Sequence, residues 1–391
     1  MFDFDTILDR SATESVKWMR DGKPLPADHE GLIPMWVADM DFAAPPAVVA
    51  AIMDRAAHPV YGYAATPVAF YEAYVNWMRT RYNVVVDPEW LSFSPGIVPA
   101  IATAIRAFTV PGDGIAIMPP VYHPFRLLVE ANHRKTLEAP LVTRDGRYEL
   151  DLDALDAACS RSKMLIFCSP HNPVGRVWTS LELAAVAEIA KRRNVILFSD
   201  EIHADLVYAP HRLVSLLGFD RELNDRLVVA WAPSKTFNIA GLQASYIAIP
   251  GKELRASFAA ESHATGIGSP NCLAGAAAIA AYNEGGPWLD ELLVYLQGNY
   301  DYLKAELGKR APALKVYPCE GTYLAWIDFR SAGLSADVGP GILEKASLWL
   351  DAGTRFGTGG AGFARLNFGC PRAVVAKAVD RLAQAFGGAR S

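Results

Sequence analysis

Apolar residues arrive in this chain in two rhythms. Short unbroken runs at 114–118, 164–168, 195–199, 227–231 and 245–249 have the length of buried strands. Between several of them, apolar positions recur at helical spacing. The clearest such stretch is 181–193, opened by Thr179 with Glu182 three residues on, the pattern of a capping box. Upstream, 46–57 and 68–81 read as amphipathic helices separated by the turn-like cluster Tyr61-Gly62-Tyr63. A short strand at 91–94 runs through Pro95-Gly96 into an apolar helix at 98–108. Downstream, 273–282 reads as a buried Gly/Ala-rich helix, and 288–309 as a long helix that stops at Ala311-Pro312. The remainder predicts strands at 314–317, 323–329 and 363–368 with helices at 340–349 and 372–386. Residues 1–47, rich in Pro, Asp and Trp, predict little regular structure.

Unbroken apolar runs alternating with helices predict an α/β fold: a mostly parallel sheet covered on both faces, with ligands at the carboxyl ends of its strands. If the long helix is the bridge, the chain divides into a large domain at 48–287 and a smaller α+β domain made of 1–47 plus 288–391. A length of 391 residues accommodates both.

Composition narrows the function. No apolar stretch reaches the roughly 18 residues of a membrane helix, so no membrane partner is expected. The acidic start Met1-Phe2-Asp3-Phe4-Asp5 is unlike a secretory signal, and five cysteines without a C-x-x-C pair suit reduced thiols. Both favour the cytoplasm. A formal charge of −5 without a basic block argues against nucleic acid.

Candidate chemistry follows the strands. After the run ending at Trp231, Pro233 breaks the chain and Ser234-Lys235 follow; a lysine at a sheet's mouth with apolar neighbours has a lowered pKa and can add to a carbonyl. After Cys168 comes Ser169-Pro170-His171-Asn172-Pro173, a turn offering an amide, and after Ser199 comes Asp200-Glu201-Ile202-His203-Ala204-Asp205. The helix beginning after Gly96 points free N–H groups into its loop, which suits an anion. Amine, carboxylate, amide and anion cradle together are what pyridoxal phosphate requires: Lys235 for its aldehyde, Asp200 for its ring nitrogen, Asn172 for its phenolic oxygen, Ser234 and the helix end for its phosphate.

Each residue also has a plainer reading. Asp200 could cap a helix, or join His203 and Asp205 at a metal, although one short cluster without further His or Cys makes no convincing site and none is expected. Asn172 could be ordinary turn chemistry, and Tyr122 a packing residue. Gly357-Thr358-Gly359-Gly360-Ala361-Gly362 matches a dinucleotide fingerprint in letters, but a strand follows it rather than a helix, so a mobile loop is the better expectation. Arg365, inside an apolar strand, needs a paired anion; a substrate carboxylate held by two bonds is one candidate.

These segments, in this order and spacing, make the chain resemble the fold-type I pyridoxal-phosphate enzymes of the class I/II aminotransferase superfamily. Ala38-Asp39-Met40-Asp41-Phe42 and Ser234-Lys235-Thr236-Phe237-Asn238-Ile239-Ala240-Gly241 make it similar to their MalY/PatB-type cystathionine β-lyase group. The resemblance covers nearly the whole chain. It implies that Lys235 is the Schiff-base lysine and catalytic base and Asp200 the partner of the ring nitrogen, with Asn172 and His203 near the phenolic oxygen. Tyr122 would stack on the ring, and Gly96, Ile97, Val98 and Ser234 would hold the phosphate. Arg365 would bind the substrate carboxylate, and Tyr63 would reach the phosphate from the second subunit of a homodimer with shared active sites. Many aminotransferases of the superfamily have an arginine eight residues after the lysine; Gln243 stands there, a departure that favours a lyase. The expected reaction is therefore cleavage of a C–S bond in L-cystathionine or a related thioether. The alternatives are transamination, or a regulatory role that keeps the cofactor only as a structural ligand.

Overall fold

Strand residues that alternate between two apolar surfaces need a cover on each side, and the fold supplies both. The structure, a computed structural model, describes residues 1–25 and 31–388; the part of the irregular N-terminal expectation that falls on 26–30 lies outside the described residues. Seven strands form the main sheet: β1 (Leu91–Ser94), β2 (Gly114–Ile117), β3 (Lys135–Glu138), β4 (Met164–Cys168), β5 (Ile196–Asp200), β6 (Leu227–Trp231) and β7 (Ser245–Ala248), in the order β1-β7-β6-β5-β4-β2-β3. β7 runs antiparallel to both neighbours, and the pairs among the other strands are parallel. The mostly parallel sheet expected from the sequence is the one observed.

The helices are α1 (Pro46–Ala57), α2 (Val68–Tyr82), α3 (Ile97–Phe108), α4 (Pro124–Ala131), α5 (Leu152–Cys159), α6 (Ser180–Arg193), α7 (Pro233–Thr236), α8 (Lys252–Ala264), α9 (Cys272–Glu284), α10 (Gly286–Arg310), α11 (Gly339–Ala346) and α12 (Arg372–Phe386). Met164, Ile166 and Cys168 of β4 pack with Ile101 and Ile105 of α3 and Phe258 of α8 in one core. Leu165 and Phe167 point into the other core, with Tyr74 of α2, Leu183 of α6 and Ala277 of α9. Burying each such side chain contributes about 1.5–3 kcal/mol, which is why the apolar runs alone located the strands. The capping box forms as expected: Thr179 accepts from the N–H of Glu182, whose carboxylate accepts from the N–H of Thr179.

A second sheet of four antiparallel strands, β8 (Lys315–Val316), β9 (Leu324–Asp328), β10 (Asp351–Ala352) and β11 (Phe363–Asn367), has the order β8-β9-β11-β10. The helix expected over 340–349 is shorter. Ser347 takes a left-handed conformation at φ 49° and ends α11, after which Leu348–Trp349 pairs in parallel with Ile33–Pro34. The glycine-rich stretch after 356 is likewise corrected from a mobile loop to a packed turn. A Cβ on Gly360 would collide with the carbonyl oxygen of Gly353, and Thr358 donates to Glu138.

Candidate active site

Register brings the expected residues together. Asp200 at the end of β5 lies beside Cys168 at the end of β4 and Ala230 of β6, so the turns that follow these strands meet at one edge of the sheet. Beyond β6, Pro233 starts the single turn α7, and Thr236 ties it down by donating to the Asp205 carboxylate at 2.7 Å. Lys235 thereby faces a cleft of about 420 Å³ whose lining also includes Gly96, Tyr122, Asn172, Asp200 and Arg365.

The Lys235 Nζ donates to the carbonyl oxygen of Ala38 at 2.6 Å. Burial pulls its pKa down to about 8, aided by Arg365 and opposed by Asp39 and Asp200. Asp200 is buried, and its carboxyl is pushed up to about 7, chiefly by burial, against the opposing pull of the Ile202 N–H and of Lys235. An amine and a carboxyl shifted toward each other near neutrality in one cleft are a mark of reactive chemistry. His203 is buried, and burial, Lys235 and Arg365 hold its pKa well below the usual histidine value, so the ring is neutral; its Nδ1 has no partner among the described residues.

Arg365 of β11 enters from the second sheet. It is buried and donates to Asn172 Oδ1 at 3.0 Å, to the carbonyl oxygen of Trp36 at 2.7 Å and to Asp351 at 2.9 Å, and its Nε has no partner among the described residues. At the other end, α3 begins with Gly96 as a cap that provides no side-chain hydrogen bond, leaving the N–H groups of its first turn to other acceptors. Ile97, Val98 and Ser234 border the cleft there.

Of the residues expected to hold the cofactor or the substrate, Tyr63 lies apart. It is fully exposed in a surface hollow with Ser269 and Asn271, outside the cleft of this chain. Asp205 turns toward Thr236, Trp77 and Tyr82 instead of toward Asp200 and His203, and among the described residues no group of three His, Cys, Asp or Glu is placed to hold a metal. Sequence reasoning missed Asp351, which bridges Arg365 and Arg355, and Tyr323, whose hydroxyl donates to the same Ala38 carbonyl as Lys235. A charged residue directly after the apolar run 348–350 was the available signal for Asp351.

The donor set fits pyridoxal phosphate. A near-neutral amine, a buried carboxyl with a single backbone donor, an unpartnered imidazole nitrogen and an uncapped helix start surround one cleft. Comparison with known proteins agrees. Cystathionine beta-lyase PatB of Bacillus subtilis (strain 168) is 41% identical over 382 residues, covering 97% of this chain and 98% of that protein. The crystal structure of cystalysin from Treponema denticola, which contains a pyridoxal 5'-phosphate cofactor, superposes with a TM-score of 0.93 at 34% identity, covering 98% of each chain. The PLP-bound C-S lyase of Staphylococcus hominis superposes with a TM-score of 0.90 at 32% identity over 99% of each chain. The family model for aminotransferase class I and II matches residues 31–382. With its fold, its cleft and these likenesses in agreement, the chain belongs to the aminotransferase class I and II family.

Proposed function

We propose that this protein is a pyridoxal-phosphate-dependent carbon–sulfur β-lyase that cleaves L-cystathionine or related cysteine S-conjugates to pyruvate, ammonia and a thiol. The observation that carries the reading is the convergence of Lys235 and Asp200 on one cleft, each shifted toward neutrality, in a chain similar over its length to named lyases. Bound there, the cofactor supplies an aldehyde for the substrate amine and a ring that accepts charge from the α-carbon.

The protein's share is placement and proton handling. Lys235, whose amine is substantially neutral near pH 8, takes the proton from the α-carbon. Asp200 would pair with the ring nitrogen, and Asn172 and His203 would take the phenolic oxygen. Tyr122 would lie against the ring, while Ser234 and the N–H groups at Gly96, Ile97 and Val98 would hold the phosphate. Arg365 holds the α-carboxylate, with its guanidinium already oriented by Asn172, Asp351 and the Trp36 carbonyl. With the α-proton removed, the β-carbon–sulfur bond breaks, the thiol leaves, and one water converts the remaining three carbons to pyruvate and ammonia.

Transamination would use the same residues. Gln243 lines the cleft where the resemblance leads one to expect an arginine in many aminotransferases, which favours the lyase. The deciding experiment incubates the purified enzyme with L-cystathionine and, separately, with an amino donor plus 2-oxoglutarate. Pyruvate from the first is expected, and glutamate from the second without pyruvate from the first would overturn the reading.

The same reading makes the protein a homodimer in which Tyr63 completes the neighbouring subunit's phosphate site. Support comes from the exposed apolar side chains of Met53, Val60, Tyr61, Tyr63 and Val68 along one stretch of chain. It also divides the chain into a domain at 48–287 and a second of 1–47 plus 288–391. A cytoplasmic location is supported by the five free cysteines.

A further inference from the structure

Arg355 is the cation of the cleft that the lyase reading leaves without a task. Lys235 and Arg365, which also line it, are taken up by the α-carbon proton and the α-carboxylate. Arg355 and Arg365 flank a single carboxylate: Asp351 accepts from Arg355 Nη1 through Oδ1 at 2.7 Å and from Arg365 Nη2 through Oδ2 at 2.9 Å. Shared contact with Asp351 ties Arg355 to the α-carboxylate side of the cleft. The two arginines differ in depth, since the Arg365 side chain is 4% exposed and that of Arg355 45%. The inner one is closed off by protein; the outer one meets solvent at the rim.

Among the described residues, the other polar contact of Arg355 is with His123, whose Nε2 lies 3.1 Å from Arg355 Nη2. Burial and Arg355 itself push His123 down to about 4, so its ring is neutral at pH 7 and does not satisfy the arginine's charge. Arg355 is also rigidly mounted. Its turn, Gly353–Phe356, packs backbone to backbone against Gly360, and the Phe356 carbonyl accepts from the Val121 N–H at 3.0 Å, next to Tyr122 and His123. A guanidinium held in place at a rim, sharing one carboxylate with a second arginine, is prepared for an anion at low ordering cost.

We propose that Arg355 determines substrate selectivity by binding a second carboxylate, carried on the thiol half of the thioether. The cleft then favours substrates such as L-cystathionine, whose leaving group ends in an amino acid, over cysteine S-conjugates with uncharged leaving groups. This rests on the lyase reading.

The test compares kcat/KM of the holoenzyme for L-cystathionine and for S-methyl-L-cysteine, before and after Arg355→Gln, with Arg355→Met as a second variant should the first not fold. Loss of a charge-assisted bond lowers the ratio of the two values by about tenfold or more, mainly through KM for L-cystathionine. If Arg355 only braces Asp351 and Arg365, both substrates suffer alike, because both carry the α-carboxylate, and an unchanged ratio overturns the proposal. If neither thioether gives pyruvate with the unaltered enzyme, the lyase reading itself fails and the selectivity argument goes with it.

Discussion

The Asp200 carboxyl is buried, accepts from the backbone N–H of Ile202 at 3.1 Å, and keeps its proton up to about 7. Its ordinary value is 3.8. Between these values the folded chain holds a proton that the unfolded chain has lost, so the contribution present in acid disappears as pH rises through about 7 and stays absent above it. Without cofactor, the protein therefore loses stability from pH 5 to pH 8, and Asp200→Asn, which cannot ionise, loses less. Urea unfolding of both cofactor-free proteins at the two pH values measures this; equal losses would mean that the carboxyl is not desolvated. Glu201, also pushed up to about 7, chiefly by burial and least by Asp200 itself, is present in both proteins, so all but its coupling to Asp200 cancels in the comparison. The side chains at this scale were legible because each interrupts an apolar pattern with chemistry that needs a partner, as Lys235 does after Pro233 and Arg365 does inside β11. The carbonyls of Trp36 and Ala38 were not, although they hold Arg365 and Lys235, because every residue carries a carbonyl and only the fold selects which one is used.

Lys235 owes its position to an element of only four residues, too short to be stable alone. Asp205 supplies what α7 lacks. Its carboxylate accepts from Thr236 of α7 and from Trp77 and Tyr82 of α2, so one side chain joins the reactive turn to the helix layer behind the sheet. Asp205→Ala leaves those three donors without their acceptor in the interior. The expected cost is about 2–4 kcal/mol of unfolding free energy, since each buried unpaired donor costs about 1–3 kcal/mol and water can recover some of them. Thr236→Val, which loses one bond, costs less, and the double variant is less destabilised than the sum. Chemical denaturation of the three variants tests it, and strict additivity would show that the two residues do not act as a unit. Element boundaries were legible where burial dictated the letters: β4, β6, α1 and α12 match the apolar patterns. They were hidden where it did not. β3, Lys135–Glu138, is an edge strand with a polar sequence that no apolar run reveals, and α4, α5 and α8 each went unread.

At the scale of the whole molecule, the segment around Ala38 joins the two sheets. Asn238, just beyond α7, bonds the backbone of Met40 and Phe42, while Asn367 of β11 bonds the carbonyls of Val37 and Asp39. Buried Lys17 and half-buried Arg10 pair with Asp41. The sequence marked this stretch as irregular but could not disclose that its irregularity frees backbone groups to face both sheets. Tyr63 is fully exposed and lies outside the cleft of its own chain. If sites are shared across a twofold axis, each cleft takes Lys235 from one chain and Tyr63 from the other. Lys235→Ala and Tyr63→Ala, each defective as a pure homodimer, then complement when unfolded together and refolded. A mixed dimer has one cleft lacking both residues and one with both intact, so random pairing restores about a quarter of all clefts. Pyruvate formation by the refolded mixture is expected to reach about a quarter of the unaltered rate, with each variant refolded alone as the baseline. A mixture no more active than the average of the two variants would place Tyr63 outside the shared site, and a single-chain mass in solution would remove the dimer altogether.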